Sequence, residues 1–119
     1  MAKKRVFISF DYDHDLDLKN LLIGQAKNED SPFEIADWSL KEASLDWKAR
    51  CRERIKRCDY VIVIVGGHMG TATGVKAEIA IAREEKVSMF GLRGRAGAVP
   101  DGFPTVYSWT WNNLNTLLR

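Results

Sequence analysis

Long hydrophobic runs are missing from this sequence: the longest, Tyr60 to Val65, falls far short of the roughly 20 residues that a membrane-spanning helix needs. Met1 to Phe10 is too short for a secretory signal, so a cytoplasmic protein with no membrane partner is expected. Cysteine is also scarce. Cys51 and Cys58 stand seven positions apart in a helical pattern, which separates them by about 10 Å of axial rise, too far for a disulfide. With no histidine near them they form no zinc site, and both read as reduced core residues. An excess of charge is lacking too: 18 basic against 16 acidic residues leave +2, far from the bias of a dedicated nucleic-acid binder. Neither standard nucleotide cradle is present, because no Gly-Lys-Ser/Thr follows Gly66-Gly67-His68-Met69-Gly70 and no G-x-G-x-x-G follows the first strand.

What is there fits one globular domain over residues 1–119: 45% hydrophobic residues, 29% charged residues and nine glycines. Two domains of about 60 residues each would bury too little surface. Strand-like and helical patterns alternate. Arg5 to Phe10 has apolar residues on both faces, as a buried strand does. Asp13 or Asp15 then caps a helix with Leu18, Leu21, Leu22 and Ala26 inward. Phe33 to Ser39 reads as a second strand, and Ser44 as the cap of a helix carrying Trp47, Cys51, Ile55 and Cys58 on one stripe. Asp59 to Val65, β-branched without alternation, belongs at the sheet centre. A helix from about Thr73 to Lys86 follows, then a strand from Val87 to Leu92, a loop from Arg93 to Pro104 that could act as a lid, a short strand at Thr105 to Tyr107, and a closing helix after Ser108 or Thr110. The expected fold class is α/β: a flavodoxin-like three-layer sandwich whose five-stranded parallel sheet has the order 2-1-3-4-5 and helices on both faces.

Such a sheet binds ligands beyond the carboxyl ends of its strands, where the strand order reverses. Phe10-Asp11-Tyr12-Asp13-His14-Asp15 and the glycine loop with His68 would meet there, with Asp37-Trp38-Ser39 at the edge. Carboxylates, flat aromatics and exposed N–H groups suit a sugar and a base joined by phosphate. Turn formation and helix capping account for part of the acidic cluster, and a divalent cation is a further reading of it. The basic residues from Lys48 to Arg57 read as a solvated helix face, since no aromatics interleave with them to stack on bases, and a nucleic-acid partner is not expected. A phosphoacceptor receiver domain shares the strand order but requires an aspartate at the end of strand three, where this chain has Val65-Gly66-Gly67.

Three stretches carry a different resemblance. Val6-Phe7-Ile8-Ser9-Phe10 with the acidic loop after it, Asp59 to Gly66, and Thr71 to Ala82 with Glu78-Ile79-Ala80 at its centre are together similar to TIR domains, specifically the short TIR-like proteins of bacterial Thoeris antiphage systems. Family members usually carry a Trp a few residues before the glutamate, and Gly74 and Ala77 occupy the candidate positions here. The resemblance implies an NAD glycohydrolase or ADP-ribosyl cyclase activity that cleaves the nicotinamide-ribose bond, with NAD as substrate and neither cofactor nor metal. Glu78 would be the catalytic carboxylate at the border of its helix's apolar stripe. Phe10, Tyr12 and Trp38 would stack on nicotinamide or adenine, and Asp11, Asp37, Ser39 and His68 would orient ribose or phosphates. It further implies an ADP-ribose-derived, in some members cyclic, messenger acting on a downstream effector, and self-association as a route to activity. The alternatives are a non-catalytic TIR-like interaction module and a nucleoside deoxyribosyltransferase-like enzyme.

Overall fold

The computed structural model describes residues 3–41 and 46–119. Among them, five strands form one all-parallel sheet in the order β2-β1-β3-β4-β5, the topology expected. The strands are β1 (Lys4–Ser9), β2 (Phe33–Trp38), β3 (Tyr60–Val65), β4 (Ser88–Arg93) and β5 (Val106–Ser108). The helices are α1 (Leu16–Ala26), α2 (Trp47–Lys56), α3 (Thr73–Glu84) and α4 (Trp111–Leu118). Ser44, the cap expected for α2, lies outside the described residues.

The alternation of the central strands sorts the core into two layers. Phe7, Val61, Val63 and Val65 face α2 and α3, where Cys51, Ile55, Val75, Ile79 and Ala82 complete one cluster. Val6, Ile8, Ile62 and Ile64 face α1 and α4 and pack on Leu22, Ala26, Leu114 and Leu118. Every residue from Val61 to Val65 is fully buried, which is why this run shows no polar alternation. Leu21 departs from expectation: it is 54% exposed. The inward stripe of α1 runs through Leu18, Leu22 and Ala26 at spacings of four, and Leu21 falls outside it. Both cysteines are free and buried, as expected. Thr110 caps α4, its hydroxyl accepting the Asn113 N–H at 3.0 Å.

One irregularity shapes the site. The β1–β2 register runs Val6 to Ile35 and then jumps to Phe7 opposite Asp37, so Ala36 is an extra residue on β2. A slip of one residue exchanges the faces of everything beyond it. Past the bulge, Asp37 shares the face of Phe7, Trp38 pairs with Ile8 on the opposite face, and Ser39 continues on the face of Ser9. Without the bulge Trp38 would stand beside Ser9, and Ser39 would point away from α3.

Candidate functional site

A cavity of about 300 Å³ opens at the carboxyl end of the sheet, on the β2 side of the point where the strand order reverses. Three segments line it: Phe10 to Asp13 after β1, Ser39 to Lys41 after β2, and Thr71 to Val75 entering α3. Glu78, one turn into α3, completes the lining and is only 1% exposed.

Side chains from three other described parts of the chain bond the Glu78 carboxylate. The Ser9 hydroxyl, at the end of β1, donates to Oε1 at 2.6 Å. The Ser39 hydroxyl donates to the same oxygen at 2.6 Å and accepts the Phe10 N–H at 3.0 Å. From α2, the Cys51 thiol donates to Oε2 at 3.6 Å. Burial, and secondarily the Glu78 charge, push the Cys51 thiol up to about 12, so it remains a protonated donor through the physiological range. The bulge makes this assembly possible, because it sets Ser9 and Ser39 side by side facing α3.

The aromatic wall comes from the loop after β1. Phe10 is 2% exposed and stacks on Tyr12 with centroids 5.3 Å apart. Behind them the Lys19 ammonium of α1 lies 5.8 Å from the Phe10 ring and 4.7 Å from the Trp38 ring, within cation-π range. Asp11 accepts the Asp13 N–H at 3.1 Å on Oδ1, and its Oδ2 lies 2.7 Å from His14 Nδ1.

Of the residues singled out in the sequence, Phe10, Asp11, Tyr12, Ser39 and Glu78 meet at the cavity. Asp37, Trp38 and His68 do not line it. Asp37 faces α2 and accepts Arg54 at 2.6 Å. Alternation sends Trp38 to the α1 face beneath Lys19. His68 is exposed and stacks on His14 with centroids 3.7 Å apart. Glu78 sits deeper than the border position expected, as part of the core floor. Ser39 is also 4% exposed, with its hydroxyl engaged by Phe10 and Glu78. The sequence reading assigns no site role to Ser9, Cys51 or the Thr71–Val75 segment, although it places Cys51 in the core and Thr71 to Ala82 among the stretches that carry the resemblance. A hydroxyl at an inward position of the otherwise apolar Val6–Phe10 run was the signal available for Ser9, because a buried hydroxyl requires a partner.

The other side of the switch point is closed. Gly94 and Arg95 both donate their N–H to Val65 O, at 2.9 and 3.1 Å, laying the loop after β4 across the end of β3. Arg95 reaches Asp15 at 3.1 Å and Asp17 at 2.6 Å. Asp15 is fully buried, and its carboxyl is held above the ordinary aspartate range by burial first and by the Asp11 charge second, against the lowering effect of Arg95. Glycine is required at 66 because a Cβ there would overlap the Asp15 carboxylate. The Arg93–Pro104 loop is therefore a strap over β3 and contributes nothing to the cavity lining, in contrast to the lid expected. Among the described residues no three His, Cys, Asp or Glu side chains converge to hold a metal ion, and Asp11, Asp13 and Asp15 point to different surroundings. No described helix is long and apolar enough to cross a membrane.

Comparison with known proteins returns the profile described as "Thoeris protein ThsB, TIR-like domain", which matches residues 7–96. No curated protein matches the chain. Among solved structures, a mutant of ribose 5-phosphate isomerase type B from Trypanosoma cruzi superposes with a TM-score of 0.40 at 13% identity, covering 98% of this chain and 93% of that one.

Proposed function

Because the chain belongs to the TIR-like domain family of the Thoeris protein ThsB, we propose that it is an NAD-consuming signalling enzyme that cleaves the nicotinamide-ribose bond in antiphage defence. The observation that carries this reading is the Glu78 carboxylate, oriented by Ser9 and Ser39 at the floor of an open cavity walled by Phe10 and Tyr12. A cavity of about 300 Å³ lies at the small end of ligand sites and suits the nicotinamide-ribose half of the dinucleotide.

The chemistry asks little of the protein in proton transfer. Nicotinamide leaves as a neutral base, so no strong general acid is needed, and the barrier lies in the positive charge that develops on the ribose ring. Glu78, held in place before substrate arrives, opposes that charge and accepts ribose hydroxyls. Preorganised groups of this kind contribute on the order of 10²–10³ in rate. Tyr12, backed by the buried Phe10, offers a face for the nicotinamide ring, and Asp11 reaches sugar hydroxyls. Thr71 to Val75, entering α3, line the remaining wall, where the rest of the dinucleotide would lie. The ribosyl group passes to water or to a nucleophile of the same molecule, giving an ADP-ribose-derived messenger for an effector protein, and self-association is the expected route to full activity.

A non-catalytic docking module is the second reading, favoured by one observation: Gly74 lines the cavity one turn before Glu78, in the stretch where family members usually carry a Trp. The discriminating experiment incubates concentrated protein with NAD, with and without extract of phage-infected cells, and identifies products by chromatography and mass. Nicotinamide release is the expected result. Silence in both conditions moves the assignment to the docking module, and base release from nucleosides without nicotinamide release moves it to deoxyribosyl transfer.

A further inference from the structure

The two histidines stand outside the cavity lining, yet they join two of its walls. His14 Nδ1 lies 2.7 Å from Asp11 Oδ2, while Asp11 Oδ1 accepts the Asp13 N–H at 3.1 Å. The His14 ring stacks on His68, with centroids 3.7 Å apart and planes 20° from parallel. His68 belongs to the loop after β3, and its carbonyl accepts the Thr71 N–H at 3.1 Å and the Thr71 hydroxyl at 3.2 Å. Asp11 and Thr71 both line the cavity, so the paired rings clasp one wall to the other. We propose that His14 is a positioning residue for Asp11, its Nδ1–H setting the carboxylate and its ring held by the stack on His68.

The need for such an anchor follows from the torsions of aspartate. The torsion that swings the two carboxylate oxygens, between sp³ and sp² carbons, has a broad profile, and so has the corresponding torsion of the imidazole. The Asp13 N–H belongs to the same turn as Asp11 and moves with it. The His14 ring differs, because its stack on His68 ties it to the loop after β3. A carboxylate only accepts, so the hydrogen of this bond sits on Nδ1, the tautomer that a free neutral imidazole disfavours. Each carboxylate oxygen carries two acceptor positions. The bonds to Asp13 and His14 engage one on each oxygen and leave one on each for sugar hydroxyls. The consequence for turnover rests on the NAD-cleaving reading, in which Asp11 takes those hydroxyls, whereas the contact itself does not.

The experiment therefore has an arm that needs no substrate. Nitrogen NMR of histidine-labelled protein distinguishes a protonated ring nitrogen from a bare one, and at about pH 8 a histidine without a partner is neutral. His68→Phe leaves His14 as the single histidine, keeps a ring to stack on, and identifies its signals. The expected result is a protonated Nδ1 on His14 in the unmodified protein, giving way to a bare Nδ1 when Asp11→Ala is introduced. A bare Nδ1 in the unmodified protein, or the same signal in Asp11→Ala, overturns the proposal, whatever the protein does to NAD.

In the turnover arm, His14→Ala raises KM for NAD about fivefold with kcat within about twofold, as a loosened binding group does. His14→Asn, whose amide N–H can take the place of Nδ1–H, restores most of the loss. His68→Ala raises KM by a smaller factor, and His68→Phe restores most of that. An unchanged KM in His14→Ala overturns the positioning role even where the NAD-cleaving reading stands, and an unchanged KM in His68→Ala overturns the part given to the stack. Absence of nicotinamide release from the unmodified protein defeats the NAD-cleaving reading and leaves the NMR arm to decide the contact. Should His14→Ala fail to fold, the NMR arm still decides, since it keeps the ring in place.

Discussion

Two carboxylates are buried at the carboxyl end of this sheet, and they stand in different surroundings. Asp15 is fully enclosed, faces the cation of Arg95, and lies under a strap bonded to the end of β3. Glu78 is as buried, but two hydroxyls and a thiol are among its partners, and it borders an open cavity. A guanidinium neutralises a carboxylate and engages it. Neutral donors orient the charge and leave it able to answer another that develops nearby. The difference separates a carboxylate that fastens a loop from one suited to chemistry, although both stand at the sheet end where a nucleotide site is sought.

The largest stability effect expected on the strapped side comes from Gly66→Ala. Its Cβ would displace the Asp15 carboxylate, and overpacking of this kind costs about 3 kcal/mol in a urea melt. Tolerance of alanine at 66 would mean that the strap is looser than its contacts indicate. On the cavity side, Ser39→Ala is expected to cost about 2 kcal/mol, because it strands the buried Phe10 N–H as well as releasing Glu78. Ser9→Ala removes one hydroxyl bond and costs about 1 kcal/mol by the same measurement. Equal costs for the two serines would break the account of Ser39 as the joint between β1 and α3. Arg95→Ala is expected to cost about 1 kcal/mol, well below the figure for a fully buried pair, since Arg95 is 42% exposed.

The smallest effect is a change of slope with pH. The Asp15 carboxyl binds its proton more tightly in the folded protein than in the unfolded chain, whose value is near 3.8. Its contribution to stability is therefore fully present below 3.8 and is lost as pH rises through the folded value. Asp15→Asn removes that loss, so the stability of the variant relative to the unmodified protein rises as pH climbs from 3.8 through the folded value. A constant difference across that range would contradict the role given to burial. Asp17, lowered by Arg95, acts in the opposite direction, being stabilising above 3.8 and losing that contribution as pH falls, but it is exposed and screened.

The fold was legible because its strands announce themselves. The uninterrupted apolar run of β3 marks a strand covered on both sides, and the stripe of Cys51 and Ile55 marks the inward face of α2. Glu78 with Phe10, Asp11, Tyr12 and Ser39 could be brought together from topology and family resemblance. Asp37 and Trp38 could not be assigned correctly, because neighbours on a strand point to opposite faces and only the bulge at Ala36 decides which. The placement of His68 and of the Arg93–Pro104 loop depended on contacts between distant segments, His14 for one and Val65 with Asp15 for the other, that carry no periodic signal. Ser9 and Cys51 were hidden for the same reason: each occupies an inward position where an apolar residue would fit the pattern equally well.

If chemistry belongs to the open cavity and its Glu78, with Asp15 serving the strap, the two carboxylates respond differently to substitution. Nicotinamide release from NAD by Glu78→Gln and Asp15→Asn, measured side by side under conditions where the unmodified protein turns over, tests this most directly. The expected result is at least about a 100-fold loss in Glu78→Gln, with stability lowered by no more than about 2 kcal/mol, and a change within about threefold in Asp15→Asn. Undiminished release from Glu78→Gln, or a loss confined to a folded Asp15→Asn, would contradict it.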